Sequence, residues 1–177
     1  MLLLIGWVTG WMLQAPAQAP GRAPEYQVKA AFLYNFARFI EWPAGTFVGP
    51  DDPFVVGVIG RDPFGPHLDS IAKEKIGENR PIVIRRYNRG EAHDGCHILF
   101  ISRSEKERVA DLIKSSRGKP LLTVAEDVDF CISGGGIGLL QENNRLRFEI
   151  NLSATDRAQL KVSAQLLKLG RVIRDEL

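Results

Sequence analysis

The glycine-rich stretch SGGGIG, residues 133–138, is the segment that most closely resembles a ligand-binding motif. Loops of this kind bind phosphate when they join a strand to a helix, because unpaired N–H groups at the helix N-terminus face the anion. Here the glycines lead into IGLLQENNRLRF, whose pattern predicts a strand, and no Lys or Thr follows them. The dinucleotide-binding fingerprint requires a βαβ unit that this pattern does not supply. The glycines therefore predict the start of a hairpin rather than a phosphate site.

Nucleophilic catalysis would need a serine or cysteine within reach of a histidine. Ser102, Ser104 and His93 are present, but the G-x-S-x-G motif of hydrolases is absent. Cys96 and His97 are adjacent on a predicted strand, so their side chains point to opposite faces and do not meet. We therefore predict a protein that is not an enzyme, with no catalytic residues, no cofactor and no metal site.

A small-ligand site at one edge of the predicted sheet is the alternative. The turn Asp62-Pro63-Phe64-Gly65 follows the predicted strand FVVGVIG, and open α/β sheets bind ligands outside the carboxyl ends of their strands. A plain turn that opens the next helix is the competing interpretation. Two acids, Glu126 and Asp127, come just after another predicted strand, PLLTV. The residues assigned to this predicted ligand edge are Arg61, Asp62, Phe64, Gly134, Gly135 and Gly136.

The segment QVKAAFLYNFARFIEWP, residues 27–43, has the apolar spacing of a helix. We predict a helix from Glu25 to Glu41, ended by Pro43, because the residue before proline avoids the α region. A core stripe is expected at Val28, Phe32, Phe36 and Ile40. The apolar surface is wider than one stripe, and aromatic residues are favoured anchors at interfaces. A partner-binding surface is therefore predicted at Leu33, Tyr34, Phe39 and Trp42.

The rest of the chain alternates between strand and helix patterns. Strands are predicted at 54–60, 81–87, 96–102 and 120–124, of which the first and third have the pattern of buried strands and the second turns polar at its end. A turn followed by a helix is predicted at 62–75, and a second helix at 104–118 with Ser104 as its cap. A hairpin around Glu142-Asn143-Asn144 and a final helix from Ser153 follow. This order predicts a single three-layer α/β domain. Its mixed, mostly parallel sheet would be flanked by helices on both faces, with a C-terminal hairpin and helix.

Composition and the N-terminal segment predict an exported, single-domain protein. The 177 residues include 45% apolar and 25% charged residues, and the net charge of +2 argues against nucleic-acid binding. The first nineteen residues carry no charge and end in small residues and proline, as in a signal peptide. We predict a signal peptide at 1–17, a linker at 18–24 and one domain at 25–177, in a protein that is exported and then soluble.

The two cysteines of the predicted domain are Cys96 and Cys131. If the strands CHILFI and PLLTV are parallel neighbours, the two sulfurs lie about 16 Å apart, at ~3.3 Å per residue. A disulfide needs Cα atoms within about 7 Å. Two mostly buried thiols are therefore favoured, with a disulfide left open if the loop carrying Cys131 folds back.

Five blocks of the sequence resemble, in order and spacing, the YfiR-like family of exported bacterial proteins. They are YQVKAAFLYNFARFIEWP, VVGVIGRDPFG, CHILFIS, LLTVAEDVDFCISGGGIGLL and LRFEINLSATDRAQLKVSAQLLKLG. The resemblance implies a periplasmic α/β domain, often a homodimer, without catalytic residues. It also implies a repressor that acts on the periplasmic domain of an inner-membrane diguanylate cyclase and so controls cyclic-di-GMP. An outer-membrane lipoprotein of OmpA type is the implied sequestering partner.

Two details of the resemblance leave alternatives. Relatives of this kind also serve sensors such as histidine kinases, so a periplasmic small-ligand-binding protein or sensor subunit that feeds a histidine kinase is the second function predicted. A short-range cysteine pair found in some members would use Cys131, and no second cysteine follows it in this sequence. A redox switch at that position is therefore not expected.

Overall fold

The computed structural model describes residues 22–49, 51–77 and 79–174. The predicted signal peptide and residues 18–21 of the predicted linker lie outside these residues. The first helix begins at Arg22, so the last three residues of the predicted linker are helical.

The helices and strands alternate along the chain. The helices are α1 (Arg22–Phe39), α2 (Pro66–Ile71), a 3-10 helix (Arg103–Arg108), α3 (Val109–Ser116), α4 (Leu152–Arg157) and α5 (Ala164–Leu167). The strands are β1 (Ile40–Glu41), β2 (Phe54–Ile59), β3 (Lys75–Ile76), β4 (Arg80–Tyr87), β5 (Ile98–Ile101), β6 (Leu122–Ala125), β7 (Ile137–Glu142), β8 (Arg145–Asn151), β9 (Lys161–Val162) and β10 (Arg171–Ile173).

The described strands form an eight-stranded sheet and a two-stranded one. The large sheet has the order β10-β8-β7-β6-β5-β2-β4-β3, and the five strands from β7 to β4 in this order run parallel. β8 is antiparallel to β7, and β3 is antiparallel to β4. The small sheet pairs β1 with β9. The predicted α/β domain with a mixed, mostly parallel sheet is confirmed.

Both faces of the sheet are covered, which explains why the central strands are apolar throughout. Every residue of β2 is buried. Phe54, Val56 and Val58 pack on the face that carries α1 and α2, whereas Val55 and Ile59 pack on the face that carries α3. A strand covered on both faces cannot alternate with polar residues, because each polar side chain would be buried.

The predicted extent of α1 is corrected by the structure, and its predicted core stripe is confirmed at Phe36 and Ile40 but wrong at Val28. The helix ends at Phe39, and the next two residues pair with β9 instead of continuing the helix to Glu41. Val28, predicted in the core, is 46% exposed. The buried face of α1 begins at Tyr26, two positions before Val28, and its residues recur every three to four positions. Its apolar members within the helix are Tyr26, Ala30, Leu33, Phe36 and Ala37.

The predicted cap of the helix at 104–118 is also corrected. The 3-10 helix comes first, and its cap is Ser102, whose side chain accepts a hydrogen bond from the Ser104 N–H. The Ser104 hydroxyl instead accepts the Arg61 N–H at 2.9 Å, so it binds the backbone just after β2 and does not cap the helix. α3 ends before Gly118, whose φ of 72° terminates the helix as expected.

The C-terminal hairpin is confirmed, and the single long helix after it is wrong. Asn143 and Asn144 have φ values of 49° and 59°, as the tight turn between β7 and β8 requires. The helix is broken because Gln159 takes a φ of 57° at the end of α4, and Ser163 then caps the separate helix α5. Leu169, which the predicted long helix would include, is an exposed residue between α5 and β10.

Candidate functional site

The predicted partner-binding residues all contact other parts of the domain. Leu33 has no exposed surface, so it belongs to the core and is removed from the predicted surface. Tyr34 and Phe39 are half-buried, and the Arg38 guanidinium lies 5.6 Å from the centroid of each ring. The Trp42 indole N–H donates to the Pro120 carbonyl at 3.1 Å, and the ring packs against Phe54. Tyr34 and Phe39, joined by Arg38, keep part of their surface on the outside of α1.

The predicted ligand edge divides into two places at opposite ends of the strands. Arg61 and Asp62 follow β2 at its carboxyl end. Gly134 and Gly136 line a small recess with Leu121, which precedes β6 at its amino end. Gly135 is held by close packing, since a Cβ there would lie 2.4 Å from the Phe130 ring. One ligand therefore cannot contact both groups, and the single ligand edge predicted from the sequence is wrong.

The turn after β2 is structural. The Asp62 carboxylate accepts the Phe64 N–H and the Arg86 Nε–H, both at 2.7 Å. The hydrogen bond with Asp62 raises the pKa of the Arg86 guanidinium, so the pair stays charged. Phe64 is buried, with edge-to-face contacts to Tyr26 and Phe100 at centroid distances of 5.4 and 4.7 Å. It fills the core rather than bordering a pocket.

The crevice at which the strand order reverses, between β2 and β5, is filled. In open sheets this crevice is the usual ligand site. Here the Ser102 hydroxyl donates to the Arg61 carbonyl at 2.7 Å, and the Ser104 hydroxyl accepts the Arg61 N–H. Gly60 has a φ of 89°, and a Cβ there would lie 2.4 Å from the Ser104 Oγ and 2.8 Å from Glu105. Protein atoms occupy the position that a ligand would take.

A buried ion network lies at the carboxyl end of β6. Lys29 on α1 and Glu126 after β6 are each 2% exposed at the side chain, and Nζ lies 2.7 Å from Oε1. The second carboxylate oxygen accepts the Tyr26 hydroxyl at 3.3 Å and the Arg103 Nε–H at 2.9 Å. Lys29 also pairs with Glu25, one helical turn away. Burial, and then the charge of Glu126, raise the pKa of Tyr26, so its hydroxyl remains a donor.

This network ties three elements together: α1, the end of β6 and the 3-10 helix. Arg103 is 68% exposed and covers Glu126 from the solvent side. Beside it lies an open groove of about 190 Å³ with Lys106 and Val109 on one wall and Asp127 and Val128 on the other. Because a carboxylate that is already paired on both oxygens offers little to a ligand, the network serves to fix α1 on the sheet.

The two thiols and His97 are buried in the packed interior of the domain. Cys96 and Cys131 are both buried thiols. Burial raises the pKa of Cys96, and its Sγ lies 3.0 Å from the Tyr87 hydroxyl. His97 accepts the Val55 N–H at Nδ1, and burial followed by the charges of Arg80 and Arg85 lowers its pKa to about 4. Cys96 and His97 do not meet, as predicted.

Sequence reasoning missed Lys29, Tyr26 and Arg103. The available signal was Lys29 itself, a charged residue on the buried face of α1 with Glu25 four positions earlier. A lysine on such a face needs a buried acid, and the sequence does not show that the acid is Glu126, 97 positions away. Among the described residues, no group of three or more His, Cys, Asp or Glu residues is arranged to hold a metal ion.

The fold and these contacts define the chain as an open, mostly parallel α/β domain with a filled switch-point crevice. In the part of the chain that the structure describes, no helix combines the length and apolar character needed to cross a bilayer. The chain belongs to the YfiR/HmsC-like family, whose model matches residues 26–171. Members of this family are periplasmic regulators.

Proposed function

We propose that this chain is a non-enzymatic periplasmic protein that binds and represses an inner-membrane signalling protein. The target that best fits is the periplasmic domain of a diguanylate cyclase, so that the chain lowers cyclic-di-GMP. The observation that carries the proposal is the family match over residues 26–171. The filled switch-point crevice supports it, because the place where a doubly wound enzyme binds its substrate is closed by Ser102 and Ser104.

The contact surface that we propose is the α1 ridge, defined as Tyr34, Arg38 and Phe39. Aromatic residues and arginine carry most of the binding energy at protein interfaces. Arg38 is exposed and lies over both rings, so an incoming surface would meet a cation and two aromatic faces together. Trp42 lies beyond the end of α1 and is left out of the ridge, because its indole N–H donates to the Pro120 carbonyl. Its ring lines a separate groove.

The ion network would make the α1 ridge a firm binding surface. Lys29 lies on the buried face of α1, and Glu126 holds it against the sheet. A helix fixed in this way loses little conformational freedom on binding, which lowers the entropic cost of association. We also propose a homodimer and an OmpA-type outer-membrane lipoprotein as further partners, on the strength of the family relationship.

Deletion of the gene and complementation test the proposed function. Deletion should raise cellular cyclic-di-GMP, and the wild-type chain should restore it. Arg38→Glu should fail to restore it, because charge reversal at an interface hot spot weakens binding by about tenfold or more. Unchanged cyclic-di-GMP after deletion would overturn the proposal of a cyclase as the target.

Arg145→Glu is the matched control for Arg38→Glu. Both residues are exposed, and both substitutions change the charge equally, but Arg145 lies at the start of β8 away from the α1 ridge. The control should repress like the wild type. Arg145→Glu should leave the Tm of the wild type unchanged, whereas Arg38→Glu removes two cation–π contacts and should lower Tm by only about 2–8 °C, which leaves both variants folded. Equal loss of repression in both variants would show that α1 has no special role.

A further inference from the structure

A second groove lies at the amino ends of β2 and β4, at the opposite end of the strands from Glu126. It has a volume of about 370 Å³. Its lining residues are Ala37, Ile40, Trp42, Phe47, Phe54, Ile76, Gly77 and Arg80. We propose that this groove binds a small apolar carboxylate, with the apolar body between the aromatic rings and the carboxylate on Arg80. The inference goes beyond the regulatory role proposed above and does not depend on it.

The walls of the groove are aromatic and held in place. Trp42 meets Phe54 edge to face at a centroid distance of 4.9 Å, and Phe47 lies 6.3 Å from Phe54. His97 stacks behind Phe47 and Phe54 at 4.6 and 4.8 Å. Trp42 and Phe47 are half-buried, so each retains surface towards the groove. Rings supported from behind provide a preformed apolar site, as ligand pockets generally do.

Arg80 supplies the charge and has donors to spare. Its guanidinium lies 3.8 Å from the centroid of the Phe47 ring, and its NH1 group donates to the carbonyls of Gly49 and Asp52. Within the described residues, the Nε and NH2 groups of Arg80 have no hydrogen-bond partner. These two groups form the edge of the guanidinium that binds a carboxylate with two parallel hydrogen bonds.

The charge of the lining selects the class of ligand. The described lining residues contain one cation and no carboxylate, so an ammonium group in the groove would face the like charge of Arg80 without an acceptor of opposite charge. His97 adds no charge at neutral pH, because burial lowers its pKa to about 4. The groove therefore favours a monoanion over a zwitterion, a cation or a neutral compound of the same shape.

The volume indicates how large a ligand the groove can hold within its walls. At about 30 Å³ for each water-sized group, 370 Å³ holds roughly a dozen non-hydrogen atoms. Arylalkanoates such as 3-phenylpropionate and alkanoates such as octanoate have this size. A ligand of about eleven heavy atoms is expected to have a Kd of roughly 0.1–1 mM.

Isothermal titration calorimetry with the full chain tests the proposal, with 3-phenylpropionate and octanoate as probes. Phenylalanine adds an ammonium group to the first probe, and octanamide removes the charge of the second. We expect both acids to bind, and both comparison compounds to bind about tenfold more weakly or worse. If only one of the two acids binds, the groove accepts the apolar group of that acid, which is aromatic in 3-phenylpropionate and aliphatic in octanoate. No binding of either acid at about 10 mM, roughly ten times the expected Kd, would overturn the proposal.

Variants locate the site. Arg80→Gln should weaken the binding of the acids by about tenfold, because it removes the charge. Arg85→Gln, an equal charge change on an exposed residue of the same strand, should leave the affinity unchanged. Phe47→Ala removes one half-buried aromatic wall and leaves the Arg80 charge in place, so it should also weaken binding by about tenfold, which keeps the test valid if Arg80→Gln unfolds. Wild-type affinity in both Arg80→Gln and Phe47→Ala would place the ligand elsewhere.

Discussion

Breaking the Lys29–Glu126 pair should destabilise the domain strongly, while replacing both residues should not. Each side chain is 2% exposed, and the charged atoms are 2.7 Å apart. Removing one partner of a buried pair costs about 3–5 kcal/mol, because the other charge is left in the interior. Replacing both by apolar residues of similar volume is often neutral or stabilising.

The remaining contacts set the size of each effect. Lys29→Met leaves the Glu126 carboxylate with Arg103 and the Tyr26 hydroxyl, so we expect the lower limit, a loss of about 3 kcal/mol. Glu126→Leu leaves Lys29 with Glu25 alone, so we expect a loss of about 4 kcal/mol. The double variant should lie within about 1 kcal/mol of the wild type, which gives a coupling energy of roughly 6 kcal/mol.

Urea unfolding of the full chain, followed by circular dichroism, measures the free energies of unfolding for this cycle. For a chain of this length, a loss of 3 kcal/mol also lowers Tm by about 6–12 °C, which thermal unfolding can check. Arg103→Gln is a useful comparison, because Arg103 is 68% exposed and its pair with Glu126 should contribute far less. Additive losses in the double variant, or single losses below about 1 kcal/mol, would refute the view that this pair fixes α1.

Two further predictions concern His97 and Gly57. Burial lowers the folded-state pKa of His97 to about 4, so only the unfolded chain binds this proton between about pH 6.5 and 4. The free energy of unfolding should therefore fall by up to about 3 kcal/mol as pH decreases through that range. Urea unfolding at several pH values measures this dependence on pH, which should be weaker for His97→Gln than for the wild type. Gly57→Cys should form a disulfide with Cys96, because a Cβ at position 57 would lie 2.7 Å from its Sγ. Maleimide labelling in denaturant should then find one reactive thiol in the oxidised variant, and labelling of all three cysteines would contradict the geometry.

The parts of the fold predicted correctly are those whose signal is local. A short run of apolar, β-branched residues at 54–60 predicts a strand that is buried on both faces, and β2 is such a strand. The hairpin was predictable because Asn143 and Asn144 tolerate the positive φ of a tight turn. The order of these signals was enough to indicate a mostly parallel sheet.

The C-terminal segment and the ion network depend on distant contacts, so the sequence did not reveal them. Residues 153–173 have enough apolar positions for one helix, yet Lys161 and Val162 pair with β1, which breaks it. Tertiary pairing overrides local propensity in this way. The separation of Gly134 from Arg61 has the same origin, since the loop after β6 returns to the amino end of the sheet before β7 begins.

Site-specific photo-cross-linking in living cells tests the central claim most directly. A photoreactive amino acid at position 38, within the α1 ridge, should capture a membrane protein with a periplasmic region and a cytoplasmic diguanylate cyclase domain, which mass spectrometry identifies. The same amino acid at position 145, equally exposed but outside the ridge, should capture little of it. Recovery of that membrane protein at position 38 is the predicted result. Equal capture at both positions, or no membrane signalling protein at either, would contradict the account.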